Sequence, residues 1–298
     1  MSTNEINEIE INPNISTFTI LRQEIKRDKV ALISLCFLIL TSTLIVVTSF
    51  ILNQAEVMTI RPLYLNLPPS SEHWLGTYIG GQDVFGMLII GARNSLAIAA
   101  LVTIISGVFG VGVGLISGYF GGNVDNIFMR IVDFTSILPM LMIVITFVSI
   151  FPNYTVFQFS LIMSAFLWQG IARMVRARAI AEKELEYIQA SKTLGTTHLK
   201  TMLKELLPNI SSVIIVTMTL NMAANVGLET ALTFLGFGFP HHTPSLGTLV
   251  AAARNPQVLE MRWWIWVPAS ILILTLMLSV NSVGRALNRS TDAKQRRA

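Results

Sequence analysis

Six stretches of roughly 20 residues carry no charged side chain: 30–52, 94–120, 134–151, 155–172, 209–228 and 263–284. A helix of about 20 apolar residues crosses a bilayer and satisfies all of its own backbone hydrogen bonds, which lipid cannot do for it. The pattern therefore predicts an all-α membrane protein with six transmembrane helices. The third helix has room to start as early as Ile127, and the fifth to continue to Gly236. Composition agrees: of 298 residues, 52% are hydrophobic and only 13% charged, against about a quarter charged in soluble domains. A soluble enzyme and a disordered chain are thereby excluded. A disulfide scaffold is excluded too, because the single cysteine, Cys36, has no partner within the chain. Its place in a long apolar run predicts a buried, unreactive thiol.

Orientation follows from the basic residues, which concentrate on the cytoplasmic side of membrane proteins. With six spans both termini share a side. Placing them inside puts 17 of the 21 Lys and Arg in the cytoplasm and leaves only Arg61, Arg93, Arg254 and Arg262 outside. The formal charge of +4 is thus a matter of topology and not a nucleic-acid signal. The reading divides the chain into a cytoplasmic tail over 1–29, the first span with an outer segment over 30–92, a core over 93–285 and a cytoplasmic tail over 286–298. Glu5, Glu8, Glu10 and Glu24 precede the first apolar run and no small-residue cleavage site follows it, so that run is expected to stay as an anchor. Residues 18–29 mix apolar and basic side chains at helical spacing, which fits either an interfacial helix or a solvated tail.

Inside the spans, Ser106, Gly110, Gly114 and Gly118 recur every four residues. Such a stripe lets another backbone come close and predicts helix packing rather than solute contact. Arg130 and Asp133 stand three apart and are placed to pair, and Pro139 is expected to kink the same helix. Glu229 near the outer end of the fifth span must face protein or water, because a carboxylate in lipid is costly. Pathway lining and structural hydrogen bonding are both open to it.

Catalytic constellations are missing: no HExxH, GxSxG or Walker GxxxxGK[ST] pattern occurs, so neither proteolysis, serine hydrolysis nor ATP hydrolysis is assigned to the chain. His241-His242, between Pro240 and Pro244, lacks further ligands and is read as an exposed loop pair rather than a metal site. The polar loop at 173–208 is long enough to need a purpose. It divides into a helical stretch to Leu194, a stop at Gly195-Thr196-Thr197, and a second short helix from His198 to Leu206 before Pro208. By itself it fits a solvated amphipathic linker as well as a partner surface.

The run at 186–209 decides between these, with Gln189-Ala190-Ser191, Gly195 four residues on, and Leu207-Pro208. It resembles the EAA loop of permease subunits in bacterial ABC importers, whose pattern is EAA, three residues, Gly, nine residues, then IxLP. The segments at 73–96, 114–139 and 229–250 are similar to those of the C-type permease subunit of dipeptide and oligopeptide importers. The resemblance implies a type I importer fold and a place in the bacterial cell membrane. It also implies a homologous B-type permease partner, two cytoplasmic ATPases that bind the ATP and Mg while this chain holds no cofactor, and an extracellular peptide-binding protein. It assigns ATPase coupling to Glu186, Tyr187, Gln189, Ala190, Ser191, Gly195, Leu207 and Pro208. The chain departs from the pattern at Gln189, Ser191 and Glu205, which stand where Glu, Ala and Ile are usual, at Tyr78 in place of Asp, and at His241-His242. Two rival readings are a nickel or other small-solute importer of the same family and a self-sufficient carrier. The absence of any internal repeat speaks against the second.

Overall fold

The computed structural model describes residues 28–151, 153–239 and 243–295. The stretch over 18–27 and the His241-His242 pair lie outside the described residues. Helix α1 (Lys29–Ile51) starts where the Asp28 carboxylate accepts the Val30 and Ala31 N–H groups at 3.0 and 3.1 Å, two donors that the helix itself leaves unpaired. Asp28 also pairs with Arg289, fastening the start of the first span to the last helix. A short connecting segment follows, with α2 (Gln54–Val57) and a single 3₁₀ turn at Pro62–Tyr64.

Helix α3 (Val84–Phe120) begins well before the uncharged stretch that announced it. Asp83 caps it through the Gly86 N–H at 2.9 Å. Arg93, the charge that interrupts the hydropathy, reaches Gln54 at 2.9 Å and so does not interrupt the helix. At 37 residues and about 1.5 Å per residue, α3 exceeds the thickness of the hydrocarbon layer. Gly121 (φ +66°) and Gly122 (φ +52°) then turn the chain sharply into α4 (Gly122–Ile137).

The third span is not one straight helix. Between α4 and α5 (Met140–Ile150) the axis bends by 70° at Leu138-Pro139, where the proline has no N–H to continue the ladder. The fourth is shorter than expected: α6 (Val156–Leu167) has 12 residues, about 18 Å of rise, and gives way at Trp168 to α7 (Gln169–Lys183). Among the described residues, four helices are long and apolar enough to cross a membrane, and a fifth span forms if the bent pair counts as one. The fourth stretch thus survives as a short helix that continues into a polar one.

After α8 (Glu186–Thr193) and α9 (His198–Thr201), a π turn at Met202–Leu206 leads without a break into α10 (Leu207–Leu235). The expected stop at Pro208 does not occur. Proline sits in the first turn of α10, and the Leu207 N–H bonds to the Met202 carbonyl five residues back, a widening that makes room at the ring. Helices α11 (Leu246–Ala251) and α12 (Pro256–Met261) fold back against the bundle before α13 (Trp263–Gln295). The central core gathers Met87, Ala99, Val226, Leu249, Ala269 and Leu276 from α3, α10, α11 and α13. Cys36 is exposed, contrary to the buried thiol expected, because it lies on the part of α1 that the bundle leaves uncovered.

Candidate functional site

At the basic end of the bundle α8 stands out on two bends of the chain. Ile188 is its single buried residue and anchors it, while Glu186, Gln189, Ala190 and Leu194 are exposed. The Gln189 side chain donates to the Lys183 carbonyl at 2.9 Å, folding back on α7. The helix ends in a Schellman motif, with the Gly195 N–H on the Lys192 carbonyl at 3.0 Å and the Thr196 N–H on the Ser191 carbonyl at 3.2 Å. Gly195 takes φ +84°, the left-handed backbone that this closure requires.

Two polar links join α8 to the root of α10. Ser191 Oγ donates to Glu205 Oε1 at 2.6 Å. One turn away along each helix, Asn209 Nδ2 donates to the Tyr187 hydroxyl at 2.7 Å and to the Glu205 carbonyl at 2.8 Å. Tyr187 in turn donates to Glu182 Oε1 at 2.6 Å. Burial, together with the neighbouring Glu182 carboxylate, pushes the Tyr187 phenol up to about 12. Leu206 is fully buried and joins Leu115, Ile171, Val175 and Ile210 in a local core. Leu207 lies half-buried beside it and Pro208 is exposed.

The same region rests on a close seam between α3 and α7. A Cβ added at Gly110, Gly114 or Gly118 would stand 2.7 Å from the Trp168 carbonyl oxygen, 2.6 Å from that of Ala172 and 2.7 Å from that of Arg176. The stripe is therefore filled by a helix of the same chain. Arg176 pairs with Asp125, whose carboxylate also accepts from Ser117, locking α4 onto the seam. The expected Arg130 to Asp133 pair does not form. Asp133 pairs with Arg173 of α7 at 3.0 Å, and Arg173 also donates to Ser136 at 3.0 Å. A long guanidinium on the facing helix thus reaches the carboxylate, and Arg130 points outward, exposed.

Glu229 has no accessible surface. Its carboxylate accepts from Ser95 Oγ at 2.9 Å and Thr233 Oγ1 at 2.8 Å, and Ser95 Oγ accepts the Leu246 N–H at 3.1 Å. The links through Ser95 tie α3, α10 and α11 together at the end of the bundle opposite α8, while the Thr233 bond lies within α10. At that end the segment between α1 and α3 also borders an open cleft of about 430 Å³ lined by Val57, Arg61, Glu72, His73, Trp74 and Phe85. His73 Nδ1 lies 2.9 Å from the Asp83 carboxylate on its rim.

Three of these arrangements escape a sequence reading: the Ser191–Glu205 and Tyr187–Asn209 links and the Asp125–Arg176 pair. Their members lie 14, 22 and 51 positions apart, and no local periodicity connects them. The only trace was that Ser191 and Glu205 both broke the motif in which they sit.

The family model for the binding-protein-dependent transport system inner membrane component matches residues 110–293. The chain belongs to that family. This inner membrane component is 44% identical over 276 residues to the oligopeptide transport system permease protein OppC of Lactococcus lactis subsp. cremoris, an alignment covering 92% of the chain and 94% of that relative. It is 35% identical over 277 residues to the dipeptide transport system permease protein DppC of Bacillus subtilis, covering 92% of the chain and 85% of the relative. With the oligopeptide transport system permease protein AmiD of Streptococcus pneumoniae it shares 37% identity over 232 residues, 78% of the chain and 74% of the relative. The family match takes in the α3–α7 seam, α8 with its two links, and Glu229.

Proposed function

We propose that this permease subunit forms half of the transmembrane pathway of an ATP-driven importer of oligopeptides or dipeptides. The observation that carries the reading is α8, an exposed helix anchored by one buried residue and tied through side chains to a 29-residue helix that crosses the bundle. A cytoplasmic partner that grips such a helix moves the span behind it. The relatives named for oligopeptide and dipeptide transport supply the class of cargo.

In this reading the basic end faces the cytoplasm, as the distribution of Lys and Arg favours. One of two ATPase subunits, which bind the ATP and Mg, docks on Glu186, Gln189, Ala190 and the exposed edge of α8. Their closure on ATP displaces α8, and α10 and α7 follow because both are joined to it. The pathway between this chain and a homologous B-type permease then switches from inward-open to outward-open. A peptide-binding protein delivers cargo to the opposite end, over the outer segments at 53–91 and 237–262. Glu229 acts there as a buried clamp that holds α11 against the bundle; its place inside the chain argues against contact with cargo. No residue of the subunit carries out covalent chemistry.

Tagging the chain in its native cell, extracting it gently and identifying what co-purifies at near-equal amounts tests this assembly. A second permease and one or two ATPases with Walker motifs are expected. A chain that purifies alone and still moves solute in vesicles is a carrier in its own right, and the reading falls.

A further inference from the structure

Resting on the coupling role proposed above, we infer that Ser191–Glu205 and Tyr187–Asn209 form a two-rung ladder that holds α8 in fixed register on the root of α10, so that a push on α8 becomes movement of the span. The geometry is regular. Tyr187 and Ser191 are four residues apart on α8, and Glu205 and Asn209 are four apart on the facing helix, so each pair projects from one helical face. The first residue of one pair meets the last of the other, at 2.7 and 2.6 Å, as two antiparallel helices require. Asn209 closes the ladder internally by donating to the Glu205 carbonyl at 2.8 Å, and Tyr187 extends it to Glu182 at the end of α7 at 2.6 Å.

Two further observations point the same way. Glu205 lies within the π turn at Met202–Leu206, an irregularity that costs helix hydrogen-bond geometry and recurs at functional sites. Its second oxygen, Oε2, is buried without a hydrogen-bond partner, a cost the chain bears while Oε1 engages Ser191. A carboxylate kept at that expense on a joint between two helices fits a device for register better than one for stability, since an apolar contact would bind the helices without the penalty. Ser191 and Glu205 are also both departures from the motif around them, and they touch each other.

The test is a mutant cycle on the reconstituted complete transporter, reading solute moved per ATP hydrolysed. Ser191→Ala, Glu205→Ala and Asn209→Ala are each expected to lower that ratio roughly tenfold, the scale of losing about one net hydrogen bond, with ATP hydrolysis and assembly retained. Ser191→Thr, which keeps the hydroxyl, and Glu205→Gln, which keeps the accepting oxygen, are expected to restore the ratio to within about twofold. The double variant Ser191→Ala/Glu205→Ile, an apolar pair, is expected to do better than either single Ala variant, the non-additivity of residues in contact. Equal ratios in all variants overturn the ladder, as does a Ser191→Thr protein no better than Ser191→Ala. A parallel fall in hydrolysis and transport also overturns it, because that marks mere structural damage. A wild-type assembly without ATP-dependent uptake overturns the importer reading itself, and the ladder with it.

Discussion

Gly195 shows how a single residue sets the shape of the segment proposed for coupling. Its backbone sits at φ +84°, and a Cβ there would meet no atom within 4 Å, so the demand for glycine comes from backbone conformation and not from space. An L residue in this region costs about 1–2 kcal/mol. Gly195→Val is therefore expected to loosen the end of α8 and raise the ATP consumed per solute, whereas Gly195→Asn, which tolerates the left-handed backbone, stays near wild type. Comparing the two ratios checks this, and equal behaviour of both variants counts against it. Tyr187 offers a spectroscopic handle. Its phenol is pushed up from 10.0 to about 12 by burial and by Glu182, so the folded state holds this proton more tightly than the unfolded chain does. The stabilisation is complete below pH 10 and is lost as the pH rises through about 12. A tyrosinate absorbance titration of wild type minus Tyr187→Phe should show its transition near the upper value; a difference centred near 10 contradicts the hydrogen-bonded placement. At Glu229, substitution by Leu strands the hydroxyls of Ser95 and Thr233 and is expected to cost about 1–3 kcal/mol, whereas Gln, which still accepts and donates, costs less. Thermal unfolding in detergent separates the two.

Among the elements, the α3–α7 seam is where packing is least forgiving. Gly114 lies on it and Gly112 does not: a Cβ at Gly114 would stand 2.6 Å from the Ala172 carbonyl oxygen, while nothing lies within 4 Å of one at Gly112. Gly114→Ala is expected to destabilise the isolated subunit by about 1–3 kcal/mol through overpacking, and Gly112→Ala to stabilise it by up to about 1 kcal/mol through helix propensity. Equal melting temperatures for the two variants would contradict the seam. This interface also marks how far the elements were legible in the sequence. The four-residue spacing of Gly110, Gly114 and Gly118 announces a close helix contact, but not that α7 fills it, since spacing carries no information about the partner. The spacing of Arg130 and Asp133 predicts a pair on the same logic of neighbours, and a longer reach from Arg173 decides otherwise. The helix through Pro208 was hidden for a different reason: proline ends helices by default, and the π turn that accommodates it has no compositional signature. Where the local rules were sufficient, at the bend of Pro139 and the stop at Gly195, the structure follows them.

At the scale of the whole molecule, the apolar stretches were legible because lipid imposes one requirement on every residue of a span. The shortness of α6 and the exposure of Cys36 were not, because they depend on which faces the bundle leaves open. Ile137 and Met142 on α4 and α5 are 80% and 69% exposed, and Phe50 on α1 is 86% exposed, so large apolar surfaces remain for lipid or for a second subunit to cover. In the proposed function these spanning helices and the protruding α8 are half of a pathway. The most direct test is transport in lipid vesicles, comparing the chain alone with the chain joined by its permease partner, the ATPases and the binding protein. Peptide uptake is expected only in the complete assembly with ATP present, and is expected to stop when either ATP or this chain is withheld. Uptake by the chain alone, or uptake by the complete assembly that is indifferent to ATP, would contradict the account.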